Sequence, residues 1–248
     1  MDAKAYGEMA AVEDRHWWFS GRRAVSEEVI RALGLESGAR ILEVGSGTGG
    51  NYEMLSKYGK VTAVEMEDAA RQIAQEKYGI ETMSGFLPNN LPELGENYDL
   101  ICMFDVLEHV EQDAESLEVL RGLLAADGRI LITVPAHQWL WSRHDVHLHH
   151  FRRYARPELR DKLTAAGLTV DKLTFTNMTM FPAAIAARVA DRLLSSGENG
   201  ASTGTDIPAE PVNSLIGAIY RSERHLVRRM NLPIGLGLLA VARKSLNG

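Results

Sequence analysis

Short apolar runs bounded by turn residues recur along the chain at a spacing that fits strands alternating with helices. Residues 40–44 (RILEV), 60–65 (KVTAVE), 98–104 (YDLICMF) and 129–134 (RILITV) lack the in-out alternation of a strand with one wet face. Each is therefore predicted as a strand buried on both sides. Weaker patterns predict further strands around 80–83, 168–176 and 236–243. Over residues 113–126, Leu117, Leu120, Leu123 and Leu124 fall on one helical stripe, and Gly128 follows as a stop signal. Strand and helix in alternation, joined by right-handed crossovers, place helices on both faces of a parallel sheet. The expected fold class is α/β, Rossmann-like and doubly wound.

About forty residues before the first strand read as helical, among them 26–33. A second irregular element, 178–232, opens with an Ala-rich helix near 183–194, crosses the Ser/Gly-rich stretch SSGENGASTGTD, and resumes as a helix over 213–229. The middle stretch has the composition of a mobile loop. The chain thus reads as a single domain, 1–248. Its parts are an N-terminal helical lid (1–37), a cofactor-binding core (38–177), a helical insertion (178–232) and a final strand (233–248).

Composition narrows the class. With 248 residues, 45% hydrophobic and 24% charged, the chain suits one sizeable globular domain. The single Cys102 excludes an intramolecular disulfide framework and points to a reducing compartment. Acids among the first fifteen residues speak against a signal peptide. No apolar run approaches the ~20 residues of a bilayer span, and the expected location is the cytoplasm. A net charge of -6 makes a nucleic-acid partner unexpected.

The clearest chemical signal is Glu43-Val44-Gly45-Ser46-Gly47-Thr48-Gly49-Gly50, after a predicted strand and before a helix. Glycines there let the backbone turn tightly and let a ligand approach the main chain. The spacing Gly45-x-Gly47-x-x-Gly50, with Glu65 twenty positions beyond Gly45, also matches the dinucleotide fingerprint. Charge separates the two readings. A carboxylate at Glu43 would repel a pyrophosphate, whereas the sulfonium and ammonium of S-adenosylmethionine would be attracted, and Glu65 can accept ribose hydroxyls in either case. Met66 would flank the adenine with its apolar side chain.

Glu43-x-Gly45-x-Gly47-x-Gly49, Glu65 after the next strand, and Tyr98-Asp99 opening a strand that ends in Asp105-Val-Leu-Glu108-His109 resemble the successive motifs of class I S-adenosylmethionine-dependent methyltransferases. The similarity spans about residues 38–176, with the final LGLLAVARK also typical. It implies a seven-stranded sheet of order 3-2-1-4-5-7-6 with the last strand antiparallel. It also implies that Glu43, Gly45, Ser46, Gly47 and Gly49 lie near the methionine end of the cofactor and Glu65 lies at the ribose. Where many members carry an Asp for the adenine amine, this chain has Ser84-Gly85-Phe86-Leu87, and the Phe86 ring is the expected substitute.

Asp105, Glu108 and His109 follow the fourth predicted strand, beside the expected methyl group. Asp105-x-x-Glu108-His109 resembles the acid-x-x-Glu-His group with which ubiquinone-biosynthesis O-methyltransferases and small-RNA 2'-O-methyltransferases hold Mg2+, so these three residues are candidate metal ligands; the alternative is a helix cap without metal. Histidines then concentrate between His137 and His150, interleaved with Trp139, Trp141 and Tyr154, as suits the mouth of an acceptor pocket. The segment is similar to the His-x-Arg-Arg-Tyr motif of bacterial polysaccharide and lipid-biosynthesis methyltransferases. His150 and His109 are candidate general bases, Asp105 borders the reaction centre, and Arg152 or Arg153 could clamp an acidic acceptor. The aromatic run His16-Trp17-Trp18-Phe19 either packs on the sheet domain or forms a lid whose Arg22 reaches a carboxylate. The helix over 213–229 carries both apolar and basic residues, compatible with a core or homodimer helix, or with peripheral membrane contact. The expected activity is methyl transfer to an oxygen, less readily a nitrogen, of a small-molecule, lipid or glycan-linked acceptor. The rivals are an NAD(P)-dependent oxidoreductase and a non-catalytic partner subunit.

Overall fold

The computed structural model describes residues 3–193 and 207–245; the predicted Ser/Gly loop and residue 194 of the Ala-rich helix lie outside them. Strands β1 (Ala39–Val44), β2 (Gly59–Glu65), β3 (Thr82–Ser84), β4 (Tyr98–Phe104), β5 (Leu124–Pro135), β6 (Leu168–Thr176) and β7 (Gly237–Lys244) form one sheet of order β3-β2-β1-β4-β5-β7-β6. Strands β1 to β5 pair in parallel, and β7 runs antiparallel to both β5 and β6. Both the order and the antiparallel last strand match the expectation.

The central strands are apolar on both faces because helices cover both. In β4, Leu100, Ile101, Cys102 and Met103 are fully buried, as are Leu131, Ile132 and Val134 in β5. Each such aliphatic side chain removed from water contributes about 1.5–3 kcal/mol. The α-helices among the described residues are α1 (Ala3–Val12), α2 (Trp17–Leu33), α3 (Tyr52–Ser56), α4 (Asp68–Tyr78), α5 (Asp113–Leu123), α6 (Arg143–His147), α7 (Arg156–Ala165), α8 (Phe181–Leu193) and α9 (Glu210–Arg229).

Two boundaries differ from the sequence pattern. The helix predicted over 113–126 stops at Leu123, because Leu124 turns to pair with Tyr98 and opens β5. The strand predicted at 80–83 begins two residues later. Gly79 ends α4 in the left-handed conformation, and Ile80 is spent packing with Ala63 and Ala74.

The helices outside the sheet pattern join each other. Helix α2 packs along α9, although nearly two hundred residues separate them in the chain. Gly21 permits the approach: a Cβ there would stand 2.1 Å from the Tyr220 ring. Asn213 ties the ends, its Oδ1 accepting from the Trp17 amide at 3.0 Å while its Nδ2 donates to the Arg15 carbonyl at 3.0 Å. Helix α1 lies against α4. Among the described residues no helix is long and apolar enough to cross a membrane.

Candidate functional site

A cavity of about 820 Å³ opens where the strand order reverses between β1 and β4, and α2 and α9 wall its far side. In open α/β sheets this crevice, outside the carboxyl ends of the strands, is where ligands bind.

The glycine turn forms one wall. Gly45 takes φ +72, and a Cβ on it would lie 2.5 Å from the Val106 side chain, so only glycine lets the β1 and β4 ends meet so closely. Glu65 binds the turn from β2: its Oε2 accepts from the Gly47 amide at 2.8 Å, and its Oε1 accepts from the Glu67 amide at 3.0 Å. The Ser46 hydroxyl lines the cavity, buried and without a hydrogen-bond partner among the described residues. Met66 and Phe86 also line it and are 56% and 44% exposed, apolar surfaces available to a planar ring.

Two expected contacts fall elsewhere. Gly49 faces α4, where a Cβ would meet Ile80 at 2.8 Å. Glu43 is buried beneath the turn, accepts from Asn51 Nδ2 at 2.8 Å, and does not border the cavity. Burial pushes its pKa up to about 7, against the opposing hydrogen bond from Asn51. Acids that line the cavity include Glu13, Glu65 and Asp105, and Glu43 is not among them.

The N-terminal segment closes the turn from above. Glu13, buried and lining the cavity, accepts from Thr48 Oγ1 at 2.7 Å, Lys77 Nζ at 3.1 Å and Tyr78 OH at 3.1 Å. A Cβ at Gly50 would sit 2.4 Å from its carboxylate. Nothing in the local pattern marks Glu13, because its partners lie on two distant segments, the glycine turn and the end of α4.

On the acceptor side, Arg22 Nη1 donates to Asp105 Oδ2 at 2.6 Å. Asp105 adopts φ +56, and its amide is held by the Thr133 carbonyl at 3.0 Å and Thr133 Oγ1 at 3.1 Å. Asp105 is thus engaged by Arg22 and is not among the ligand atoms that converge. Glu108, His109 and His150 converge instead, each offering one ligand atom within 4.8 Å of the others. Two imidazoles and one carboxylate fit Mg2+ poorly, since that ion takes oxygen ligands and keeps its waters. Burial, then the neighbouring Asp105 charge, pushes the Glu108 carboxyl well above its ordinary range.

The His109 and His150 rings meet edge to face, 4.6 Å between centroids. Burial, followed by the charge of His150, brings the His109 pKa down to about 3. His150 Nδ1 lies 3.0 Å from Asp145 Oδ1. Arg153 Nε donates to the same oxygen at 2.7 Å, while Arg152 pairs with Asp113 at 2.7 Å. Neither arginine is left as the acid clamp expected of them. Tyr154 and the two tryptophans do not form the mouth either. Tyr154 is fully buried, its hydroxyl donating to Asp113 Oδ2 at 2.8 Å, and Leu148, His149 and Phe151 line the cavity where Trp139 and Trp141 were expected.

A family model described as a methyltransferase domain matches residues 16–173, more than half of the chain. The chain belongs to that family of methyltransferase domains, and its sheet has the order expected of class I S-adenosylmethionine-dependent members rather than of the nicotinamide alternative. Over 127 residues the chain is 28% identical to the mitochondrial ubiquinone biosynthesis O-methyltransferase of Schizosaccharomyces pombe, covering 48% of this chain and 46% of that protein. Over 101 residues it is 32% identical to the ubiquinone biosynthesis O-methyltransferase of Actinobacillus pleuropneumoniae, covering 37% of this chain and 43% of that one. The matched part spans about half the length of these curated relatives. Among solved structures, the fold is similar to a chain in the complex of the Haloferax volcanii Trm112 methyltransferase activator with a methyltransferase. There the TM-score is 0.60 at 17% identity, over 98% of this chain and 95% of that one.

Proposed function

We propose that the protein methylates a hydroxyl oxygen of an uncharged small molecule, with His150 as the general base. The observation that carries this reading is the histidine pair beside Asp105 at the end of β4. A general base must be free to take a proton; burial brings His109 down to about 3, whereas His150 lines the cavity with its Nδ1 turned to Asp145 at 3.0 Å. The names of the ubiquinone biosynthesis relatives support oxygen as the acceptor atom.

The lining of the cavity suits S-adenosylmethionine. The Ser46 hydroxyl and the turn amides would hold the methionine end, Glu65 would accept from the ribose hydroxyls, and Met66 and Phe86 would flank the adenine. When bound, the cofactor supplies a methyl carbon activated by its sulfonium. The protein's own contribution is alignment and exclusion of water. His150 would accept the hydroxyl proton of an acceptor held against that methyl carbon.

Charge in the cavity favours a neutral acceptor. Arg22 and Arg153, both lining it, are ion-paired with Asp105 and Asp145 at 2.6 and 2.7 Å. Val110, Leu140, Leu148, Phe151 and Leu239 supply apolar wall around them. A ring-bearing or lipid-linked hydroxyl compound suits such a wall better than a carboxylate or a phosphate.

The test is release of S-adenosylhomocysteine with catechol, a long-chain alcohol and a benzoate as acceptors. The hydroxyl compounds are expected to be methylated and the benzoate carboxylate not. His150→Gln is expected to lower kcat by about 10²- to 10⁴-fold at unchanged cofactor affinity. Full activity of that variant would overturn the assignment of the base.

A further inference from the structure

We infer that Asp145 is a positioning residue which fixes His150 as the Nδ1–H tautomer and so leaves Nε2 as its proton acceptor. The inference rests on the reading of His150 as the base.

Asp145 is completely buried, at the centre of a turn that exists to hold it. Ser142 closes a capping box around it, the Ser142 amide and Oγ donating to Oδ2 at 2.8 and 3.0 Å. The other oxygen, Oδ1, faces His150 Nδ1 at 3.0 Å and Arg153 Nε at 2.7 Å. The chain returns to this carboxylate because the His150 amide bonds the Asp145 carbonyl at 2.9 Å, and the next amide, Phe151, bonds the Glu108 carbonyl at 2.8 Å. These two bonds bring α6 and the β4 end together and set His150 against His109.

Burial alone would push the Asp145 carboxyl up, but donation from His150, Arg153 and Ser142 outweighs it and holds the group well below the usual carboxylate range. Asp145 is therefore an anion with acceptors only. A neutral imidazole can satisfy it solely by presenting Nδ1–H, which places the lone pair on Nε2. Once His150 takes a proton, the same anion faces the imidazolium. Arg153 tempers this by sharing Oδ1, so Asp145 orients the ring rather than drawing its proton away.

Other charged neighbours do not perform this role. Glu108 Oε2 is buried with no hydrogen-bond partner among the described residues, and the His109 and His150 rings meet edge to face with no hydrogen bond between them. Asp145 is thus the anion bonded to His150.

Long-range ¹H–¹⁵N NMR of the full chain with ¹⁵N-labelled histidine tests the inference without any acceptor, with His150→Gln to assign the signals. The wild-type protein at pH 8 is expected to show His150 as the Nδ1–H tautomer. In Asp145→Asn the amide can donate to Nδ1, and the Nε2–H tautomer is expected to appear; Asp145→Glu should restore the original pattern. Arg153→Gln, which removes a charge but no acceptor, should keep Nδ1–H. With catechol as the methyl acceptor, Asp145→Asn is expected to lose about 10²- to 10⁴-fold in kcat, with KM and cofactor affinity unchanged. A wild-type Nε2–H tautomer would overturn the inference even if no variant folds, as would an unaltered tautomer in Asp145→Asn. Failure of the base reading looks different: His150→Gln would keep its methyl transfer while the wild-type tautomer remained Nδ1–H.

Discussion

Arg22 on α2 and Asp105 at the tip of β4 are joined across the cavity by a 2.6 Å ion pair whose side chains are only 12% and 22% exposed. The Arg22 guanidinium also lies 4.9 Å from the Trp18 ring centroid. The aromatic run near the N-terminus thereby anchors the charge that holds the reaction end of the sheet. Removing the cation leaves a carboxylate poorly solvated and a residue in left-handed backbone, which alone costs about 1–2 kcal/mol in a non-glycine residue. Arg22→Ala is expected to lower stability by about 1–3 kcal/mol, read by urea unfolding, and to speed hydrogen exchange at the start of α2. Unchanged exchange there would show that the pair does not hold the helix.

Glu65 carries the cofactor expectation most directly. Glu65→Ala removes both the ribose acceptor and the bond to the Gly47 amide. S-adenosylhomocysteine binding is expected to weaken at least tenfold by calorimetry, or about 1.4 kcal/mol. Glu65→Gln, which retains an acceptor for Gly47, should lose less. Equal affinity in all three proteins would remove Glu65 from the cofactor site.

Glu43 makes stability depend on pH in a defined direction. Its folded pKa, about 7, lies above the ordinary 4.5. The neutral form is favoured by folding, so its contribution is complete below pH 4.5 and is lost as pH rises through 7. Glu43→Gln keeps an acceptor for Asn51 and never ionises. It should match the wild type near pH 4.5 and exceed it above pH 7, by on the order of 2–3 kcal/mol for the ligand-free protein. Parallel melting-temperature profiles would contradict the burial effect.

Divalent metal is not expected to be required. With Asp105 bound to Arg22 and two imidazoles in the remaining cluster, dialysis against a chelator should leave the rate of methyl transfer to catechol within about twofold of the untreated enzyme. Recovery of a lost rate on adding Mn2+ or Zn2+, but not Mg2+, would assign the Glu108–His109–His150 cluster to a transition metal.

The sheet was legible because its strands are buried on both faces, so 98–104 and 129–134 had to be apolar throughout. The glycine turn was legible because Gly45 has no substitute against Val106. The acid before the turn was read for its charge and proved to be a buried strut under Asn51. Sequence spacing gave that carboxylate a neighbourhood but not a direction. Arg152 and Arg153 show the same limit: one of the two was read as a clamp, and both are ion-paired with an aspartate elsewhere in the chain, Asp113 and Asp145.

The order of residues by itself determined the doubly wound sheet, the place of its glycine turn and the family's cofactor, since these follow from local periodicity and from short motifs whose members are neighbours along the chain. Tertiary structure decided the rest: Glu13 over the turn, α2 against α9, Asp105 bound to Arg22, and His150 held by Asp145. Hydrogen bonds and ion pairs act over about 3 Å in space, and segments far apart in the chain come within that reach only after the apolar strands have packed.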